Sequence, residues 1–249
     1  MEPLEIVYQD PYYIAVHKPA GLLVHRSPVD RHEKHFALQM VRNQVGCHVY
    51  PVHRLDRATS GVLLFAFSPE ITGQTAAIFQ NGAVEKTYLA VVRGIINETG
   101  RIDHPVKKVR DKRIPEGESK DSRRFPAVTD YQRVGTVELP FQVDRYPTSR
   151  YSLAVLRPRT GRRHQLRKHM KHVGHPIIGD TRYGKSTHNR FFRTYLECNR
   201  LLLAAVELKF KHPVTRKGVT IAAKPDGGFA ALLIQFNWNG WMENLGRSS

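Results

Sequence analysis

Strand-length apolar runs recur along this chain, and helix-period segments interrupt them at irregular intervals. Leu4, Ile6 and Tyr8 alternate with polar residues, Asp10-Pro11 turns the chain, and Tyr13-Ile14-Ala15-Val16 returns. This pattern predicts a hairpin over residues 4–18. Further strands are expected at 61–67, 86–92, 127–134, 151–157, 201–210 and 219–222. A helical period places Phe36, Ala37, Met40, Val41 and Val45 on one face. Ser68-Pro69-Glu70 supplies a capping hydroxyl, a proline at the first helical position and an acid at the positive helix end. That helix should run to about Gln80, where Asn81-Gly82 ends it. A third helix is expected over 163–173, with Leu166, Met170 and Val173 on its apolar face and Gly174 as its stop. A fourth covers 228–236. The alternation never settles into a βαβ rhythm, so the expected class is α+β, with a mainly antiparallel sheet flanked by helices and loops.

No internal repeat or clean linker divides the chain, and residues 1–249 are expected to form a single domain. Between 97 and 125 the character changes. Lys107-Lys108, Arg110, Lys112-Arg113, Lys120 and Arg123-Arg124 are interleaved with Pro, Gly and acids, and few apolar residues could anchor them. This predicts a long, basic, mobile loop over 97–125. Residues from about 237 to 249 read as a C-terminal tail.

Charge limits the partners. Lys and Arg number 39 against 22 acidic residues, a formal net charge of +17 and a pI near 10.1. Such a balance suits a polyanion, because phosphate contacts release condensed counterions. No stretch approaches the roughly 20 apolar residues of a membrane span, and the start Met1-Glu2-Pro3-Leu4-Glu5 has no signal-like character. Cys47 and Cys198 lie far apart without CxxC spacing, so neither a disulfide framework nor a cysteine zinc site is expected. The expected compartment is the cytoplasm. His164, His169, His172 and His175 lack the spacing of a metal motif, and RNA contact or packing is their expected use. No metal or cofactor is predicted. A monomer is favoured.

The run His53-Arg54-Leu55-Asp56-Arg57-Ala58-Thr59-Ser60-Gly61 carries the chemistry. It sets one carboxylate between two arginines, in a turn-prone segment at the head of an apolar strand. A nearby arginine favours the charged form of a carboxylate, and a positioned carboxylate can act as nucleophile or base. A lone Asp in a turn is ordinarily just an ion pair; the whole run is far more specific.

This run resembles the signature loop of the RluA-type pseudouridine synthases. Four further segments resemble the same family, in the family's order: Lys18-Pro19-Ala20-Gly21-Leu22-Leu23-Val24-His25; Lys86-Thr87-Tyr88; Thr160-Gly161-Arg162-Arg163-His164-Gln165-Leu166-Arg167; and Gly174-His175-Pro176-Ile177-Ile178-Gly179-Asp180 with Tyr183-Gly184. The resemblance implies the pseudouridine synthase fold with a central RNA-binding cleft, in the branch without an S4-like RNA-binding domain. It implies an isomerase without cofactor or metal, with Asp56 as catalytic nucleophile. It also implies three substrate-binding residues. Tyr88 would stack on the target uracil, Arg167 would pair with Asp56, and Arg54 would enter the RNA where the target base leaves. Arg162, Arg163, Lys168 and Lys171 would meet phosphates, which position RNA without reading its sequence.

Val24-His25-Arg26-Ser27 with Asp30-Arg31, Arg145-Tyr146-Pro147-Thr148-Ser149-Arg150-Tyr151, and Gln235-Phe236-Asn237-Trp238 resemble one branch of the family more narrowly. That branch isomerises uridine 65 in the acceptor stem of certain tRNAs, which makes tRNA the expected partner. One departure stands out: relatives often carry a histidine soon after Arg200-Leu201-Leu202-Leu203, where this chain has Ala204-Ala205. The alternatives are a synthase acting on another tRNA or rRNA uridine, and a non-catalytic RNA-binding protein. An Asp-nucleophile phosphatase is excluded by the missing DxDxT-like aspartate pair.

Overall fold

The computed structural model describes residues 2–26, 33–107 and 123–243. Its opening hairpin pairs β1 (Ile6–Gln9) with β2 (Tyr13–Lys18). The turn forms because Asp10 Oδ1 accepts hydrogen bonds from the amides of Tyr12 and Tyr13, both at 2.7 Å. Next come α1 (Ala37–Val45), closed by Gly46 in the left-handed region, then β3 (Tyr50–Pro51) and β4 (Ser60–Ala66). α2 (Pro69–Gln80) starts as its sequence dictates: Ser68 Oγ accepts from the Ile71 amide at 3.2 Å, and Pro69 occupies the first position.

The chain continues through β5 (Glu85–Arg93), β6 (Thr99–Asp103), β7 (Val106–Lys107), β8 (Arg124–Phe125), β9 (Val128–Leu139) and β10 (Ser149–Pro158). It ends with α3 (Gln165–His172), α4 (Ser186–Tyr195), β11 (Leu203–Lys211), β12 (Gly218–Ala222), α5 (Gly227–Gln235) and α6 (Gly240–Glu243). The large sheet runs β1-β2-β4-β11-β5-β10-β9-β6, with β12 on β11 and β3 on β4. Every named pair is antiparallel except β4 with β11.

Both faces of the central strands are covered. Along β5, Leu89 and Val91 join one core cluster with α4 and α5, while Ala90 and Val92 join another with Leu166 and Met170 of α3. Along β4, Leu63 and Phe65 pack with α1, and Val62 and Leu64 pack towards α2 and β12. Burial on two faces explains why these strands read as continuous apolar runs rather than alternating ones.

Three readings change. The segment 97–125 is not wholly a loop: β6, β7 and β8 occupy its ends, because Ile102 and Val106 are buried. Its residues 108–122 lie outside the described residues. Residues 237–243 do not trail as a tail. Trp238 is buried against Gly135, where any Cβ would come within 2.5 Å of its indole nitrogen, and α6 follows; residues 244–249 lie outside the described set. Finally, α4 has no counterpart in the sequence reading. Its apolar signal, Phe191, Phe192 and Tyr195, covers barely one turn among polar and cationic residues.

Candidate functional site

The loop carrying Asp56 is held from beneath. Lys18 is fully buried, and its Nζ donates to the carbonyls of Pro19 (2.9 Å), Leu22 (2.8 Å) and Arg57 (3.1 Å). The Gly21 amide donates to the same Arg57 carbonyl, Arg57 Nε returns a bond to the Gly21 carbonyl, and Arg57 also pairs with Glu33. Burial, helped by the charge of Arg200, pushes the Lys18 amine down to about 7. Above the loop, β4 enters the sheet at Gly61, with φ +108° and the Ala205 carbonyl oxygen 2.0 Å from where a Cβ would sit. Only glycine permits this parallel contact. Between these anchors Leu55 packs into one core cluster and Ala58 against another.

Asp56 lies on the wall of a cavity of about 940 Å³ that it shares with Arg54, Tyr88, His164 and Arg167. The structure therefore brings Asp56 and the three predicted substrate-binding residues, Arg54, Tyr88 and Arg167, to one place. Arg167 Nη1 donates to Asp56 Oδ2 at 3.4 Å. Its closer partner is Asp180: Nε reaches Oδ2 at 2.7 Å and Nη2 reaches Oδ1 at 2.8 Å, a bidentate pair of almost wholly buried side chains. Burial raises the Asp180 carboxyl, but Arg167 and the amides of Tyr183 and Arg182 outweigh it and hold the group below the usual carboxylate range. The guanidinium is thus clamped by one carboxylate and presents its remaining edge to the other. The sequence reading pairs Arg167 with Asp56 alone and leaves Asp180 without a role, although Asp180 stands in one of the quoted motifs.

His164 sits beside the pair. Its Nε2 is 3.7 Å from Asp56 Oδ2, and its Nδ1 is 3.1 Å from the Tyr183 hydroxyl. The residue adopts φ +58°, which delays α3 to Gln165 rather than 163. Buried Gln165 holds that bend. Its Oε1 accepts from Thr160 Oγ1 (2.7 Å) and the Arg162 amide (3.0 Å), and its Nε2 donates to the Val128 carbonyl (2.9 Å) and Thr129 Oγ1 (3.0 Å). Burial pushes the His164 imidazole down to about 4, against the pull of Asp56.

Tyr88 stands on β5, opposite Leu156 of β10 and Ala205 of β11, half-buried at the cavity floor. Burial and the Asp56 charge push its phenol above its ordinary range, so it stays protonated at neutral pH. Arg54 is exposed at the rim. His53 is structural: its Nε2 accepts from the Leu64 amide at 3.1 Å and its ring stacks on Phe79.

The other histidines of α3 are engaged in packing. The two ring nitrogens of His169 bond Thr129 Oγ1 and the His104 carbonyl, both at 2.9 Å, and His172 stacks on His104. Beyond Tyr183 lies another cavity of about 570 Å³, lined by Lys107, Arg124, Lys168, Lys171 and Arg182 and, among the described residues, by no carboxylate. Burial and the neighbouring Arg182 and Arg163 push the Lys168 amine down. A like-charge cluster of this kind suits an anionic ligand. Among the described residues no helix is long and apolar enough to cross a membrane.

Comparison with known proteins gives consistent matches. Residues 12–172 match the family model described as RNA pseudouridylate synthase. The chain is 52% identical over 236 residues to tRNA pseudouridine synthase C of Pasteurella multocida, covering 95% of this chain and 97% of that protein. The enzyme of the same name from Vibrio cholerae is 48% identical over 242 residues, covering 97% and 98%. Among solved structures, human RNA pseudouridylate synthase domain containing 1 superposes with a TM-score of 0.68 at 27% identity, covering 93% of this chain and 89% of that one. Human RNA pseudouridylate synthase domain containing 4 superposes at 0.69 with 22% identity, covering 94% and 93%.

Proposed function

The chain belongs to the RNA pseudouridylate synthase family, a family of isomerases, and from that premise we propose that it converts uridine 65 in the acceptor stem of tRNA to pseudouridine, with Asp56 as nucleophile. The reaction breaks the N1–C1′ bond, turns the uracil and joins C5 to C1′; the C5 hydrogen leaves to solvent and N1 gains a proton. The observation that carries the reading is the Asp56 carboxylate itself. It is three-quarters buried in the wall of a large cleft, and Arg167 addresses one of its oxygens. Such a carboxylate serves attack at C1′, addition at uracil C6, or removal of a ribose proton.

The other roles follow from position. Tyr88 offers a flat, protonated ring at the cavity floor on which a flipped uracil can stack. Flipping costs a few kcal/mol of unstacking, and rim-exposed Arg54 offsets part of that by filling the vacated place. Arg162, Arg163, Lys168 and Lys171, on α3 and the turn before it, supply phosphate contacts. The names of the relatives support tRNA as substrate, and position 65 rests on the narrower sequence resemblance.

The test is tritium release from tRNA carrying 5-tritiated uridine. The wild type should release label, and Asp56→Asn, still binding tRNA, should release none. Activity persisting in that variant removes Asp56 from the mechanism. Pseudouridine mapping in cells lacking the chain should lose tRNA position 65; loss only of an rRNA site overturns the substrate assignment.

A further inference from the structure

Among the described residues two cationic or imidazole groups approach the Asp56 carboxylate, and both approach the same atom. Arg167 Nη1 and His164 Nε2 lie 3.4 and 3.7 Å from Oδ2, while Oδ1 receives no hydrogen bond among the described residues. We propose that His164 is a positioning residue for the nucleophile: Tyr183 locks its imidazole in one tautomer, and its Nε2–H steers Asp56 Oδ2 so that Oδ1 alone is free to react. The proposal rests on the reading of Asp56 as nucleophile and adds a device to it.

Its geometry leaves few choices. The groups facing the imidazole are Asp56, Arg167, Arg163, Arg182 and Tyr183. Burial and three guanidinium charges keep the ring neutral at working pH, so it carries one N–H. If that proton were on Nδ1, the bare lone pair of Nε2 would face a carboxylate. With the proton on Nε2, Nδ1 instead accepts from the Tyr183 hydroxyl, which burial keeps protonated. Electrostatics selects the second arrangement. The 3.7 Å separation exceeds a hydrogen bond in the free protein, and catalytic contacts of this kind shorten when substrate closes the site. The backbone supports a role for this side chain rather than for packing alone. A non-glycine residue at φ +58°, next to Gln165 whose side chain accepts two hydrogen bonds and donates two, is strain that the surroundings over-determine.

Three variants and one spectrum test this. His164→Asn tolerates the left-handed backbone, but its amide is too short to reach Asp56. Its kcat for tritium release should fall about 10- to 100-fold, the range of one hydrogen bond to a charged group, with KM for tRNA near wild type. His164→Gln places an amide N–H near the Nε2 position and should restore most of kcat. Tyr183→Phe keeps the ring under Arg167 but frees the imidazole, so kcat should fall less and both tautomers should appear. Nitrogen-15 shifts of the wild-type imidazole should show a protonated Nε2 and a bare Nδ1. A protonated Nδ1, or wild-type kcat in His164→Asn while Asp56→Asn is dead, overturns the positioning role and leaves the nucleophile intact. Full activity in Asp56→Asn overturns the nucleophile first. If His164→Asn fails to fold, Tyr183→Phe and the spectrum still decide.

Discussion

Replacing Asp180 with asparagine tests whether the clamp on Arg167 matters more than its contact with Asp56. Asp180 accepts four hydrogen bonds: two from Arg167 and two from the amides of Arg182 and Tyr183, the last three on Oδ1. A carboxylate can accept all four. An asparagine must turn its NH2 towards at least one donor, and the smallest loss puts that NH2 against Arg167 Nε. The charge is lost as well, which leaves Asp56 as the one carboxylate paired with the buried guanidinium among the described residues. Breaking a buried pair by removing one partner costs about 3–5 kcal/mol, and the isosteric amide should sit near the lower end. For a chain of this size that is a fall in Tm of roughly 6–12 °C. Arg167 should then swing towards Asp56, and a displacement of about 1 Å at a reacting group can cost on the order of 100-fold in rate. Calorimetry, tRNA filter binding and single-turnover tritium release would read the three consequences: lower Tm, near-normal binding and a rate reduced at least tenfold (~10-fold). A Tm within about 2 °C of wild type together with an unchanged rate would refute the clamp.

Three other outcomes are expected. Burial pushes His53, His164 and His188 down to about 4 in the folded chain, from an ordinary value of 6.5. The unfolded chain therefore binds more protons between those values, so stability is full above pH 6.5 and drains as pH falls towards 4, by up to about 2 kcal/mol per histidine at pH 5; a Tm flat between pH 7 and 5 contradicts this. Gly61→Ala should abolish soluble folding, a cost above ~4 kcal/mol, since its Cβ meets the Ala205 carbonyl oxygen at 2.0 Å. Gly21→Ala, with open space around it, should lose only about 1–2 kcal/mol of backbone strain, and equal losses in urea melts would contradict the close-approach argument. Arg54→Ala should slow single-turnover tritium release while leaving Tm within about 1 °C, and an unchanged rate would remove Arg54 from base flipping.

Much of this protein is legible along its sequence because neighbouring residues encode it. Period-two and continuous apolar runs mark β2, β4, β5, β10 and β11, and Ser68-Pro69-Glu70 marks the start of α2 to the residue. The motif around Asp56 names the reacting group before any fold is known. What the tertiary structure alone decides is partnership. Asp56 and Arg167 are 111 residues apart in the chain, and Arg167 lies 13 residues from Asp180. Which carboxylate clamps the guanidinium and which receives its spare edge is a matter of tenths of an ångström, set by how α3 packs on β5 and β10. The left-handed turn at His164 depends on Gln165 reaching Val128 and Thr129 across the sheet. Residues 237–243 dock rather than trail because Trp238 finds a glycine on β9 to lie against. Local patterns specify elements because their hydrogen bonds and apolar faces repeat within a few residues. A site is assembled from side chains on different elements, and its distances exist only once the core has packed them.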